Sequence, residues 1–195
     1  MHQDETESKK NNIDPHNWVG AHADYLYNFA ITRLNDSELA RDIVQETFLG
    51  ALEKVSSFHG RSTERTWLTA ILKYKIIDVY RKRSSGAETI QLLPDEGTED
   101  GFFNTNDGHW KEAQQPRPFG LDDHDPLISK EFNQILQRCM AKLPALWFSV
   151  FSMKHIDDME TDIICSELNV TASNCWVIIH RAKVNLRACL QKNWI

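Results

Sequence analysis

Between Arg65 and Arg83 the chain reads RTWLTAILKYKIIDVYRKR, and rings and cations alternate along it. Trp67, Tyr74 and Tyr80 offer flat faces for bases; Lys73, Lys75, Arg81, Lys82 and Arg83 offer charge for phosphates. Base stacking beside a cationic track is how proteins hold single-stranded nucleic acid. The plainer explanation is a core helix with a solvated basic end, since charge runs are common on exposed faces. Covalent chemistry finds less support. His22/Asp24 and His155/Asp157/Asp158 resemble metal-ligand pairs, but such pairs arise easily by chance and no nucleophile–base pattern accompanies them. The chain is therefore not expected to be an enzyme, and no catalytic residue, metal ligand or cofactor is assigned.

These residues need a scaffold. The Arg65–Arg83 stretch holds neither Gly nor Pro and reads as one helix of about five turns. Its apolar residues fall on most faces, which suits a helix central to its domain. Before it, Trp18 to Leu34 repeats apolar residues at helical spacing, Asn35-Asp36-Ser37 makes a turn, and Glu38 to Val55 forms a two-faced helix. Ala40, Ile43, Val44, Thr47, Ala51 and Val55 share one face. Asp42, Gln45, Glu46 and Leu49 form a connected patch on the other, at spacings of three, four and seven from Asp42. The patch is either a solvated acidic face or a docking site for a basic partner helix, with Leu49 as its apolar contact. Residues 56–64, SSFHGRSTE, are a loop pivoting on Gly60, with Ser62 or Thr63 capping the helix that follows.

From Ser129 a second helical region begins: Glu131–Lys142, then Ala145–His155 after Leu143-Pro144, then a helix, tight turn and helix over Glu160–Leu190. That is helix-turn-helix grammar, with Asn169 at the left-handed position of the turn. The last helix packs Cys175, Ile178, Ile179, Ala182, Leu186 and Cys189 on one side and presents Trp176, His180, Lys183 and Arg187 on the other. Its stretch from Thr171 to Ile195 carries four cations and no acid, which suits phosphate contact beside a major groove.

The net charge of −6 seems wrong for a nucleic-acid binder until it is divided. Residues 84–130 hold ten acids and three cations, with nine Gly and Pro residues, and read as a flexible acidic linker. Residues 18–83 hold ten cations against eight acids, and residues 131–195 seven against six. Residues 1–17 are polar and expected to be disordered. They show no secretory pattern, and no run of ~18 apolar residues exists, so a cytoplasmic protein without membrane insertion is expected. Cys139, Cys165, Cys175 and Cys189 lack zinc-motif spacing and are expected to be reduced and buried.

The order DIVQETFLGAL, FHGRSTERTWLTAIL, IIDVYRKR resembles the promoter-melting domain of bacterial sigma factors, in particular the extracytoplasmic-function (ECF) group. IICSELNVT and HRAKVNLR, after Leu143-Pro144 and Phe151, resemble the minus-thirty-five-binding domain of the same family. The fold this implies is all-α, two small helical domains joined by the acidic linker: sigma region 2 at 18–83 and sigma region 4, a helix-turn-helix, at 131–195. By resemblance, Asp42, Gln45, Glu46, Phe48 and Leu49 contact the clamp helices of the polymerase β′ subunit, and the β flap is a second contact. Phe58, Arg61, Ser62 and Thr63 line a pocket for a flipped minus-ten base. Lys73, Tyr74, Lys75, Arg81, Lys82 and Arg83 hold the melted strand. Thr171, Ser173, Asn174, Trp176, His180, Arg181, Lys183 and Arg187 meet the minus-thirty-five element.

The implied function is promoter recognition and melting as a subunit of RNA polymerase, held in check by an anti-sigma factor of a kind that is often zinc-binding or membrane-anchored. The alternative is a conventional helix-turn-helix regulator that binds DNA without polymerase. Two departures from the family bear on specificity. Tyr74 stands where Asn is common, and Val177 and Ile178 stand where a small polar and a basic residue are usual, which shifts weight to Ser173, Asn174, Trp176 and His180 and to apolar contact with thymine methyls.

Overall fold

The computed structural model describes residues 13–85, 111–112 and 126–194. Among these there are seven α-helices and no strand, in keeping with the all-α expectation. The chain divides into two compact units, Met1–Asp78 and Val79–Ile195, and the boundary falls inside the third helix.

The first unit is built from α1 (Trp18–Leu34), α2 (Ser37–Glu53) and most of α3 (Glu64–Ser85). Each start and stop has a local cause. Asn35, left-handed at φ 51°, closes α1. Asp36 caps α2 by accepting from the Leu39 amide at 3.1 Å, and Thr63 Oγ1 caps α3 by accepting from the Thr66 amide at 3.2 Å. The core joins Trp18, Leu26 and Leu34 of α1 to Ile43 and Val44 of α2 and Leu68, Leu72 and Ile76 of α3. Thr47 is buried among them and returns its hydroxyl to the Ile43 carbonyl, so that hydroxyl is not stranded. Each fully buried Leu or Ile contributes about 1.5–3 kcal/mol.

Order begins earlier than the sequence implies. A 3-10 turn at Pro15–Asn17 leads into α1, and the Asp14 amide donates to Glu64 Oε1 at 2.7 Å. Disorder through residue 17 is therefore an overestimate, because a carboxylate far along the chain ties down residue 14. At the other end α3 runs to Ser85, and the next helix starts at Pro126. The readings of residues 1–12 and of nearly all the acidic linker lie outside the described residues.

The second unit contains α4 (Pro126–Met140), α5 (Ala145–His155), α6 (Thr161–Leu168) and α7 (Ala172–Asn193). Helix α7 packs against α4, α5 and α6. Asn169 makes the α6–α7 turn at φ 53°, and Thr171 Oγ1 caps α7 by accepting from the Asn174 amide at 3.2 Å. Met140, Val150, Met153, Ile164, Ala182 and Leu186 lie in its core.

The cysteines correct one expectation. Cys139 at the end of α4 and Cys189 near the end of α7 are joined by a disulfide, their Cα atoms 5.8 Å apart. The packing of α4 on α7 brings two residues 50 apart in sequence within bridging reach, which linear spacing could not reveal. Cys165 and Cys175 remain free. Burial, and then the neighbouring Cys165, pushes the Cys175 thiol up to about 11, so it stays protonated.

Candidate nucleic-acid interface

Helix α2 presents Asp42, Gln45, Glu46 and Leu49 to solvent on one face, with Leu49 63% exposed, while Phe48 is half-buried beside them. Glu46 Oε2 lies 3.1 Å from Lys75 Nζ, so the acidic patch of α2 meets the cationic track of α3. Sequence reasoning gave those two residues separate partners; the fold makes them partners of each other.

The loop between α2 and α3 turns through a 3-10 element at Val55–Ser57 and then through Gly60 at φ 68°, a conformation that disfavours a side chain. Phe58 is half-buried, its ring centroid 5.2 Å from that of Trp67. Trp67 in turn meets the buried Trp18 edge-on at 5.9 Å. Arg61 and Thr63 are exposed and Ser62 half-buried. Thr63 already caps α3, so its hydroxyl serves the backbone first.

Behind the loop sits Glu64, which linear reasoning missed. Its Oε1 accepts from the Asp14 amide and from Trp18 Nε1 at 3.1 Å, and its Oε2 faces His22 Nε2 at 3.6 Å. Burial raises its pKa, but these hydrogen bonds and the His22 charge outweigh it and hold the carboxyl below its usual range. The available signal was Trp18 and His22 at i and i+4, an indole and an imidazole on one helix face.

On α3 the stacking rings separate. Tyr74 is 72% exposed, but Tyr80 is fully buried and Trp67 half-buried, so of the three only Tyr74 offers a free face. Lys73 and Lys82 are exposed and Lys75 and Arg83 half-buried. Lys73 Nζ also lies 5.8 Å from the Phe29 ring, Arg65 lies 5.1 Å from that of Tyr25, and Arg33 caps Phe29 at 3.4 Å. Past the unit boundary, Arg81 pairs with Glu167 of α6 and the Tyr80 ring lies 6.4 Å from that of Phe148.

On α7, Ser173, Asn174, Trp176, His180 and Lys183 are exposed and Arg181 and Arg187 half-buried. Thr171 is exposed but occupied as the cap. Trp176 and Val177 are 58% and 37% exposed, whereas Ile178 faces the core at 6%. The apolar surface near the start of this helix is therefore Trp176 and Val177. Lys183 also acts electrostatically on α5: burial, then Lys183 and Lys154, lower the pKa of His155 against the opposing Asp158. Among the described residues, no group of three or more His, Cys, Asp or Glu is placed to hold a metal ion, and no helix is long and apolar enough to cross a membrane.

Residues 18–86 match the family model for Sigma-70 region 2, and residues 133–186 match that for Sigma-70 region 4. A probable RNA polymerase sigma factor of Haemophilus influenzae is 35% identical over 86% of this chain and 84% of its own length. The chain belongs to the sigma-70 family. Relatives named as ECF factors also match it. The ECF RNA polymerase sigma factor SigW of Bacillus subtilis is 27% identical over 89% of this chain and 87% of that one. Among solved structures, the sigma factor RpoE of Bartonella quintana, crystallised with the anti-sigma factor NepR, aligns over 91% of this chain and 97% of that one. Its identity is 19% and its TM-score 0.43. The region 2 match spans α1 to α3, and the region 4 match spans about half of α4, all of α5 and α6, and α7 as far as Leu186.

Proposed function

We propose that this sigma factor docks on core polymerase through Asp42, Gln45, Glu46, Phe48 and Leu49 of α2. It then opens the minus-ten element with the loop before α3 and the outer face of α3, and reads the minus-thirty-five element with α7. The observation that carries this reading is that one helical unit exposes both surfaces. Leu49 stands among acids on α2, and Tyr74 stands beside Lys73 on α3. A polymerase-docking patch on α2 and a stacking ring on α3 in one helical unit couple loading to melting.

The chemistry is non-covalent. Unpairing a base costs a few kcal/mol, and stacking on an aromatic ring returns about 1–3 kcal/mol per base. Tyr74 gives that stacking face, Phe58 with Arg61 and Ser62 borders the base, and Lys73, Lys75, Lys82 and Arg83 meet phosphates. No covalent step, metal or cofactor enters. On α7, Trp176 and Val177 favour contact with thymine methyls, and His180, Arg181, Lys183 and Arg187 favour phosphates.

The factor works in the cytoplasm with polymerase and is restrained by an anti-sigma factor, of a kind that is often zinc-binding or membrane-anchored. The experiment is a core pull-down combined with promoter-opening measurements. Tyr74→Ala or Phe58→Ala impairs opening while core binding is kept. Loss of core affinity with normal opening once bound would reverse the assignment of roles.

A further inference from the structure

Glu64 has no place in the docking patch, the base pocket or the cationic track, yet three groups from the N-terminal segment and α1 converge on its carboxylate. Oε1 takes the Asp14 amide at 2.7 Å and the Trp18 indole at 3.1 Å; Oε2 faces His22 at 3.6 Å. Trp18, 1% exposed, presents its edge to Trp67, and Trp67 supports Phe58. Phe58 belongs to the loop whose other end is Glu64 itself. The loop is thus braced near its start by Phe58 against Trp67 and at its end by the Thr63 cap and by Glu64, which fixes the indole behind the aromatic row.

We propose that Glu64 is a positioning residue for promoter opening. By holding Trp18, it keeps Trp67 and Phe58 in the arrangement that receives an unpaired base. A preorganised loop spends no binding energy on ordering itself when the base arrives. Without the carboxylate, the Trp18 indole N–H is a buried donor with nothing to accept from it, and the cheapest relief is rotation of the ring. That rotation removes the surface on which Trp67 and Phe58 rest. The inference rests on the assignment of the loop as the base pocket.

Both bonds to Oε1 need only an acceptor, so a carboxamide oxygen can replace that atom while a leucine cannot. The test uses full-length protein with bacterial core polymerase on a promoter that the wild-type holoenzyme selects from a random-sequence pool. Opening is read by permanganate reactivity of unpaired thymines, and core affinity is titrated separately. Glu64→Leu lowers opening about tenfold, and Glu64→Gln stays within about twofold of wild type. Core affinity stays within about twofold for both, because the α2 patch is untouched. Trp18→Phe keeps a ring but loses the donor; it lowers opening several-fold and decides the matter if Glu64→Leu does not fold. Normal opening by Glu64→Leu, or by Trp18→Phe in its place, overturns the proposal. So does an equal loss in Glu64→Gln, or core affinity falling in step with opening. If Phe58→Ala opens the promoter as well as wild type, the pocket assignment itself is wrong and the proposal falls with it.

Discussion

The two units present their proposed nucleic-acid contacts in different ways. In region 2 the contacts stand on a helix apolar on most faces, and a loop is shaped by an aromatic row with a carboxylate behind it. In region 4 they stand on one side of α7 while Cys175, Ile178, Ile179 and Ala182 pack on the other. The first unit contains no cysteine, whereas the second holds all four, two of them bridging α4 to α7. A surface that must grip a base torn from its partner needs support from several elements. A helix that lies in a groove needs its two faces sorted and its ends pinned. The difference teaches that region 2 is exposed to damage from behind its surface, and region 4 mainly from loss of its own packing.

Breaking that comparison starts with the largest effect. Asp42→Lys combined with Glu46→Lys places two cations where acids face solvent and abolishes core binding and transcription. A pull-down reads the first loss and a run-off assay the second. Next, Tyr74→Ala and Phe58→Ala each lower opening about tenfold, in line with ~1–3 kcal/mol per stacked base, without changing core affinity.

The disulfide gives an effect confined to the other unit. Cys139→Ser with Cys189→Ser destabilises region 4 by about 2–4 kcal/mol, since the bond closes a long loop. Hydrogen exchange then shows protection lost in α4 to α7 and retained in α1 and α2. Equal loss in both units would contradict a local effect of the bond. In the same protein Cys175 resists alkylation while folded, because its thiol is held protonated and buried.

The smallest effect is one of pH. The folded pKa of His155 is lowered, so the fold favours its neutral form. Its contribution is present above the unfolded value near 6.5 and lost as pH falls through the lowered folded value. Glu64 is also lowered, but from the carboxylate range, so its contribution is present above about pH 4.3 and lost only below that. On acidification, exchange protection therefore weakens first in region 4 and later in region 2.

Much of this was legible in the chain. The i, i+3, i+4, i+7 pattern put Asp42, Gln45, Glu46 and Leu49 on one face, and all four are exposed. Asn169 is left-handed, and Gly60 carries the loop turn. What linear reading lost was contact between distant residues. Glu46 with Lys75, Cys139 with Cys189, and Glu64 with Asp14 and Trp18 each join positions 29 to 50 apart. Tyr80 shows the same limit differently. Its spacing suited a stacking ring, but the packing around α3 buries it, and Tyr74 alone of the helix's tyrosines faces outward.

The most direct test compares binding of a duplex promoter, selected as above, with and without core polymerase. A sigma factor that melts DNA only when docked binds that promoter specifically with core, opens it, and binds poorly alone. Specific, tight binding by the protein alone, unchanged by core and unaffected by Asp42→Lys with Glu46→Lys, would instead make α7 a self-sufficient DNA reader. It would leave the region 2 surfaces without the role assigned to them.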